Sequence, residues 1–383
     1  MRQCRWLGPL LWLLTAACSG VAPDPAEVSV DALPLLRLDD QARSLCVELE
    51  GEAVAAVVSR DYAAAAAAAQ GALELDPRSA RGHAVLGMVA LERASATEPV
   101  DYYQLRRGES LIAMAQQLAP YDAFVGWIRA VFLSESGHLS AAAVAAEHAL
   151  ERCIDAPAAD KAALLGIAGT FRYELGEERA AFPHLQAYTS LRPRDATAHF
   201  RLGASLLVMS KTPQGVPPPY RQAQAYAEQA VDAFRRCVEL APGDEDAWLS
   251  IAAAQLRAAE LARLKRDGDA DERAQEAAAY EQQALDHLTA VTERFADSAE
   301  ARFRLGVVAG RLGRDAASRA AYEAALARDP DHAGSLMNLA AAAVAAEDVD
   351  AARLLFERLL AADERRRALT SDERESVEAW LAK

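Results

Sequence analysis

The sequence predicts an all-α protein, an array of antiparallel helix pairs in which each pair buries a face on the next. Three observations lead there. Hydrophobic residues make up 52% of the 383-residue chain and aromatics only 6%, with alanine the largest part of the apolar count. Alanine has the highest helix propensity and little bulk, so helices of this composition can approach closely. The phrases ATAHFRLG, from Ala196, and AEARFRLG, from Ala299, are nearly the same and lie 103 residues apart. A repeat protein has a reason to write one phrase twice, because every unit must bury the same kind of face. Finally, ALELDPRSA and ALARDPDHA each read as a helix end, a stop and a new helix, since proline lacks the N–H that a helix interior needs.

The charge excludes one class of function. Net charge is −15, and nucleic-acid binding needs a basic footprint to displace counterions. Lysine occurs only at Lys161, Lys211, Lys265 and Lys383, so almost all the positive charge is arginine. No phosphate-binding glycine loop, G-x-S-x-G elbow or H-E-x-x-H pair is written. Asp267, Asp269 and Asp271 mimic the start of a calcium loop, but Glu272 holds the glycine slot and Ala278 the final carboxylate slot. The expectation is no enzyme, no metal and no cofactor.

The N-terminus stands apart from the array. MRQCRWLGPLLWLLTAACSG has basic Arg2 and Arg5, an apolar run from Trp6 to Leu14, and small residues before Cys18. This is a secretory layout, too short to span a bilayer. Its T-A-A-C end resembles a bacterial lipoprotein signal. That resemblance implies removal of residues 1–17 and lipidation of Cys18, with Ser19 resembling the outer-membrane pattern. Thr15 stands where such signals usually carry Leu, Val or Ile, so ordinary secretion with cleavage near Ala17 remains the alternative. Residues 18–45, with Pro23, Pro25 and Pro34, read as a tether and the start of the first helix.

A period of about 34 residues runs through 46–366, with the pattern L-G, then a small residue, then proline. The L-G pair stands at Leu86-Gly87, Ala168-Gly169, Leu202-Gly203 and Leu305-Gly306, with alanine for glycine at Ala53, Ala130, Ala252 and Ala340. The small residue opening the second helix is Ala65, Gly108, Ala142, Ala181, Ala230, Ala284, Ser318 or Ala352. Pro77, Pro120, Pro193, Pro242 and Pro330 close the units, and Ile154, Ala296 and Glu364 replace the proline in the others. About eight units in this pattern resemble tetratricopeptide repeats. The resemblance implies a right-handed α-solenoid. Residues 367–383 add a cap helix, opened by the T-x-x-E capping box of Thr370 and Glu373, with Val377, Trp380 and Leu381 on one face.

Insertions at 94–104, 211–224 and 263–276 read as projecting segments, the second extended through its prolines and the third an acidic loop. Cys46, Cys153 and Cys237 fall in the first, third and fifth units, too far apart for a disulfide. Gly306, Gly310 and Gly313 align as close-packing sites on one helix.

In tetratricopeptide proteins the first helix of each pair lines a concave groove that binds proteins or peptides. By that resemblance the groove residues are Trp127, Tyr173, Phe200, Arg201, Arg257, Phe303, Arg304, Arg311 and Asn338. Arginines beside aromatic rings suit a carboxylate-bearing segment, and the competing reading is that these side chains pack adjacent helices and pair with nearby acids. The expectation is an envelope-anchored scaffold for protein–protein contact, tethered to the membrane at Cys18 and facing the periplasm from the outer membrane. Pilus and secretion assembly factors include proteins of this general kind. The alternatives are a substrate-capture subunit of a transport system and a secreted adaptor without an anchor.

Overall fold

The computed structural model describes residues 30–211, 219–265 and 269–382; Cys18 and the signal segment lie outside them. The described residues form eight successive helix pairs and one further helix, with no strand among them. The pairs are α1 (Asp40–Val58) with α2 (Tyr62–Leu75), α3 (Ala80–Ser95) with α4 (Tyr102–Leu118), α5 (Ala123–Glu135) with α6 (Leu139–Arg152), and α7 (Ala158–Glu174) with α8 (Glu178–Leu191). They continue as α9 (Ala196–Ser210) with α10 (Tyr220–Leu240), α11 (Glu245–Leu264) with α12 (Ala270–Arg294), α13 (Ala299–Arg311) with α14 (Asp315–Arg328), and α15 (Ala333–Ala345) with α16 (Val349–Arg366). The last helix is α17 (Ser371–Leu381).

Sequence sets both ends of these helices. Pro77, Pro120, Pro193, Pro242 and Pro330 each sit two residues past the end of α2, α4, α8, α10 and α14, and Ile154 and Ala296 hold the same place after α6 and α12. Glu364 departs from this: without a proline, α16 runs on to Arg366. After the turn, Ser79, Asp122, Asp195, Asp244 and Ser298 cap the next helix, each accepting from the N–H three residues on. Inside the pairs, the chain turns through a left-handed residue at Arg60, Gly137, Gly176, Gly313 and Glu347. Gly313 is therefore a turn residue beyond the end of α13, not a close-packing site on it; glycine suits it because φ is +69°.

The eight small slots are all buried, and the glycines opposite explain why. A Cβ on Gly108 would lie 2.8 Å from the Gly87 carbonyl oxygen, and one on Gly306 2.5 Å from the ring of Tyr322. The pairs close to a separation that only these residues permit.

The chain divides into two compact units, residues up to Pro193 and from Arg194. In unit 1 the largest core gathers Val85, Val125, Ile128 and Phe132 from α3 and α5 around Ala65 and Ala69 of α2. In unit 2, Leu288 and Val291 of α12 meet Leu249 of α11 and Val308 of α13. Leu336, Phe356 and Leu359 pack under α17 through Val377, with Trp380 4.9 Å from Phe356. Thr370 and Glu373 make the reciprocal capping bonds.

The second and third insertions are built differently from the sequence expectation. Residues 220–224 open α10, and 263–264 and 270–276 belong to α11 and α12; residues 212–218, with Pro217 and Pro218 of the proline run, and the segment 266–268 lie outside the described residues. These helices have 21, 20 and 25 residues, against 13 in α13. Their added turns pack through Ala223 and Ala227 on Ala258 and Leu261, and through Ala259 and Ala262 on Ala277. Charged composition hid a helix whose small residues recur on one side. The buried Glu281 carboxylate is held there by both terminal nitrogens of Arg263, at 2.8 and 2.7 Å.

Candidate protein-binding face

Within unit 1 the first helices touch in sequence, α3 on α1 and α5, and α5 on α7; in unit 2 α9 touches α11. Second helices do not pack on one another comparably among the described residues, so the first helices line the tighter side of unit 1, and α9 and α11 do so in unit 2.

The nine residues expected there are on first helices, and the fold engages most of them. In unit 1, Trp127 is half-buried against Phe124, with ring centroids 5.6 Å apart, and packs on two cores. Tyr173 is half-buried in the last turn of α7. Beside it, Arg172 bridges Glu147 of α6, at 2.8 and 2.6 Å, and Glu177, at 2.6 Å. Those bonds, with His184 behind, hold the Glu147 carboxyl below its ordinary range.

In unit 2, Phe200 meets Phe234 edge to face at 5.6 Å, and that second ring covers Gly203. Arg201 is half-buried beside it. Phe303, one unit-pair later, packs against Tyr322 and against His332 at 4.9 Å, and lies over Gly334. Arg304 donates from Nε to Glu300 at 2.6 Å and from Nη1 to the Leu249 carbonyl at 3.3 Å. The His332 ring, 3.3 Å from Glu300, and Arg304 together bring the Glu300 carboxyl down to about 2, against the opposing effect of burial. Arg257 donates to the Ser210 carbonyl at 2.7 Å, closing the end of α9, and to Glu260 at 3.3 Å. Arg311 reaches the same Glu260 from α13, at 3.3 Å. Asn338 donates to the Tyr322 hydroxyl at 2.9 Å.

Sequence reasoning offered pairing with nearby acids as the competing reading but did not name the acids. Glu260 lies 51 residues before Arg311, and the Arg304 bond to Leu249 spans 55. A long-helix unit covers that interval, so the signal for these two contacts was a partner one unit upstream, whereas the acids of Arg304 and Arg257 lie one turn away on their own helices. Cys46, Cys153 and Cys237 are free and buried. Among the described residues no group of His, Cys, Asp or Glu is placed to hold a metal ion, and no helix is long and apolar enough to cross a membrane.

Paired helices of this length, closed by small residues and stopped by proline, fit one repeat family, and its model matches residues 51–109, 282–333 and 309–367. The matched segments are tetratricopeptide repeats. The matched segments run from α1 to α4 and from α12 to the end of α16; the intervening pairs share the architecture. No curated protein matches the chain. Among solved structures it is similar to YrrB, described as a TPR protein with an unusual peptide-binding site, at 18% identity and a TM-score of 0.43, covering 59% of this chain and 96% of that one. It is also similar to MamA from Desulfovibrio magneticus RS-1, at 18% identity and a TM-score of 0.39, over 55% and 98% of the two chains. A third is PilF from Pseudomonas aeruginosa, at 15% identity and a TM-score of 0.38, over 64% and 92%. A tetratricopeptide fold is a scaffold for contact with proteins and peptides and is typically non-enzymatic.

Proposed function

We propose that this tetratricopeptide scaffold is anchored in a bacterial cell envelope through a lipid on Cys18 and holds a partner protein against its first-helix face. The observation that carries the second part is the repeated pair Phe200-Arg201 and Phe303-Arg304. Both pairs are half-exposed at equivalent places of α9 and α13. Arg304 uses Nε and Nη1 within the fold and keeps Nη2 without a hydrogen bond among the described residues. A guanidinium fixed in this way loses little freedom when a carboxylate arrives. The anchor rests on the sequence of the first 18 residues. One acyl chain gives weak, reversible attachment and two or more a stable one, so a lipidated cysteine would keep the scaffold at the membrane while its repeats face the periplasm. Assembly of a pilus- or secretion-type machine is the role we favour.

One experiment tests both parts. Cells given a radiolabelled fatty acid are crosslinked, and the protein is recovered from the envelope. Label should be present in wild type and missing from Cys18→Ala. A crosslinked partner should be recovered with wild type and reduced with Arg201→Ala plus Arg304→Ala, at a temperature where circular dichroism shows both chains folded. Equal labelling of the two chains removes the anchor, and equal partner recovery removes the arginines from the site.

A further inference from the structure

Unit 1 holds a cleft of about 980 Å³ away from the residues discussed above; neither Trp127 nor Tyr173 lines it. The last turn of α4 forms one side, the Val125–Arg129 stretch of α5 the floor, and the whole of α6 from Leu139 to Arg152 the other side. Leu175, just past α7, borders it.

The charge in this cleft opposes that of the chain as a whole. Arg129 and Arg152 line it with His138 and His148. Among the described residues Arg129 bonds only the neutral amide of Gln116. Arg152 and His148 have no hydrogen bond or ion pair among the described residues, and His138 does not cap α6 with its side chain. The one carboxylate on the lining, Asp122, is already engaged: it accepts from the Val125 N–H at 3.1 Å and from Arg81 Nε at 2.9 Å. In a protein of net charge −15, two guanidiniums without a carboxylate partner mark a local positive field. The uncapped start of α6, which opens onto the same cleft, adds to it.

The cleft also has apolar footing and a length. Val144 and Leu175 are each 37% exposed, with Ala141 and Ala145 along the same side of α6. The 14 residues of α6 measure about 20 Å at roughly 1.5 Å per residue. That matches about six residues of extended chain at roughly 3.3 Å each.

We propose that this cleft docks an acidic, partly apolar peptide segment of a partner protein. Its carboxylates would pair with Arg129 and Arg152, where bidentate geometry is available, and its apolar side chains would rest on Val144 and Leu175. The site is separate from the first-helix face and does not depend on it, so the scaffold would hold two partners, or two parts of one, at once.

The test uses the full-length chain and two fluorescein-labelled hexapeptides, alternating Glu-Leu and alternating Lys-Leu, followed by fluorescence anisotropy. The acidic peptide should bind and the lysine peptide should not. Arg129→Ala plus Arg152→Ala should weaken binding by roughly tenfold or more, with the circular dichroism melt unchanged. Val144→Asp, exposed and on the same wall, should weaken it independently. Raising salt from about 50 to 500 mM should loosen the complex. Equal binding of the two peptides, or equal affinity of the double variant, would overturn the proposal. Sedimentation of the chain alone supplies a further arm: a dimer that dissociates in the double variant would make a second copy the occupant, and the partner peptide would be wrong.

Discussion

Arginine in unit 2 and arginine in the unit 1 cleft have different surroundings. Along α11 and α13, Arg257, Arg304 and Arg311 each reach a carboxylate, and Arg257 and Arg304 also reach a carbonyl of a neighbouring helix. Along α5 and α6, Arg129 and Arg152 reach no carboxylate among the described residues. The difference arises from what the neighbouring helix writes. Glu260 and Glu300 stand one unit or one turn from their arginines, whereas α6 presents Ala141, Val144, Ala145 and His148 on the side where an acid would be needed. The same residue type is thus mortar between repeats in one region and an unengaged donor in the other. A repeat array permits this, because each unit contacts only its neighbours and a change on one helix stays local.

The largest expected effect concerns the packing beneath that cleft. Ala142 is fully buried in its small slot, while Ala141 beside it is exposed and lines the cleft. Ala142→Leu should cost about 1–3 kcal/mol of stability by overpacking. Ala141→Leu should leave the urea midpoint close to wild type and narrow the cleft instead. Matching midpoints for the two variants would put the repeat register in error, and with it the assignment of which side of α6 faces a ligand.

A second effect belongs to unit 2. The Glu300 carboxyl is lowered to about 2 by His332 first and Arg304 second. A group whose folded value lies below its unfolded value of about 4.5 binds more protons when unfolded. Its stabilisation is therefore complete above about pH 4.5 and disappears as pH falls toward 2. Wild type should exceed Glu300→Gln in stability at neutral pH, and the gap should close through that window in acid denaturation followed by circular dichroism. A gap that stays constant across it would mean that the His332 and Arg304 contacts do not hold the charged form.

Much of this fold is legible in the sequence because few residue types can occupy its key positions. Only a small residue fits where Gly87 meets Gly108, and proline ends a helix by chemistry alone, so the slots and stops could be read directly. The added turns of α10 to α12 were not read, because acidic composition is shared by loops and solvated helices. The small-residue spacing of Ala277 and Ala284, with Glu281 between, was the signal that separates them. First helices were recognised as carrying Phe200, Arg201, Phe303 and Arg304, but the contacts of Arg304 with Leu249 and of Phe303 with His332 depend on how adjacent units are spaced, which varies with helix length. The unit 1 cleft joins residues from Gln116 to Leu175 that share no motif. The side of α6 that carries Ala141, Val144, Ala145, His148 and Arg152 has no acid, and in a chain this acidic that was the trace it left.

The most direct measurement compares two double variants by thermal melting. Arg257→Ala plus Arg304→Ala removes bonds that tie α11 to α9 and α13 to α11 and should lower the midpoint by roughly 2–6 °C. Arg129→Ala plus Arg152→Ala removes no ion pair and should leave the midpoint within about 1 °C of wild type. The contrary result, a fall with the unit 1 pair as large as with the unit 2 pair, would show that the cleft arginines also serve the fold, and the distinction between the two regions would not stand.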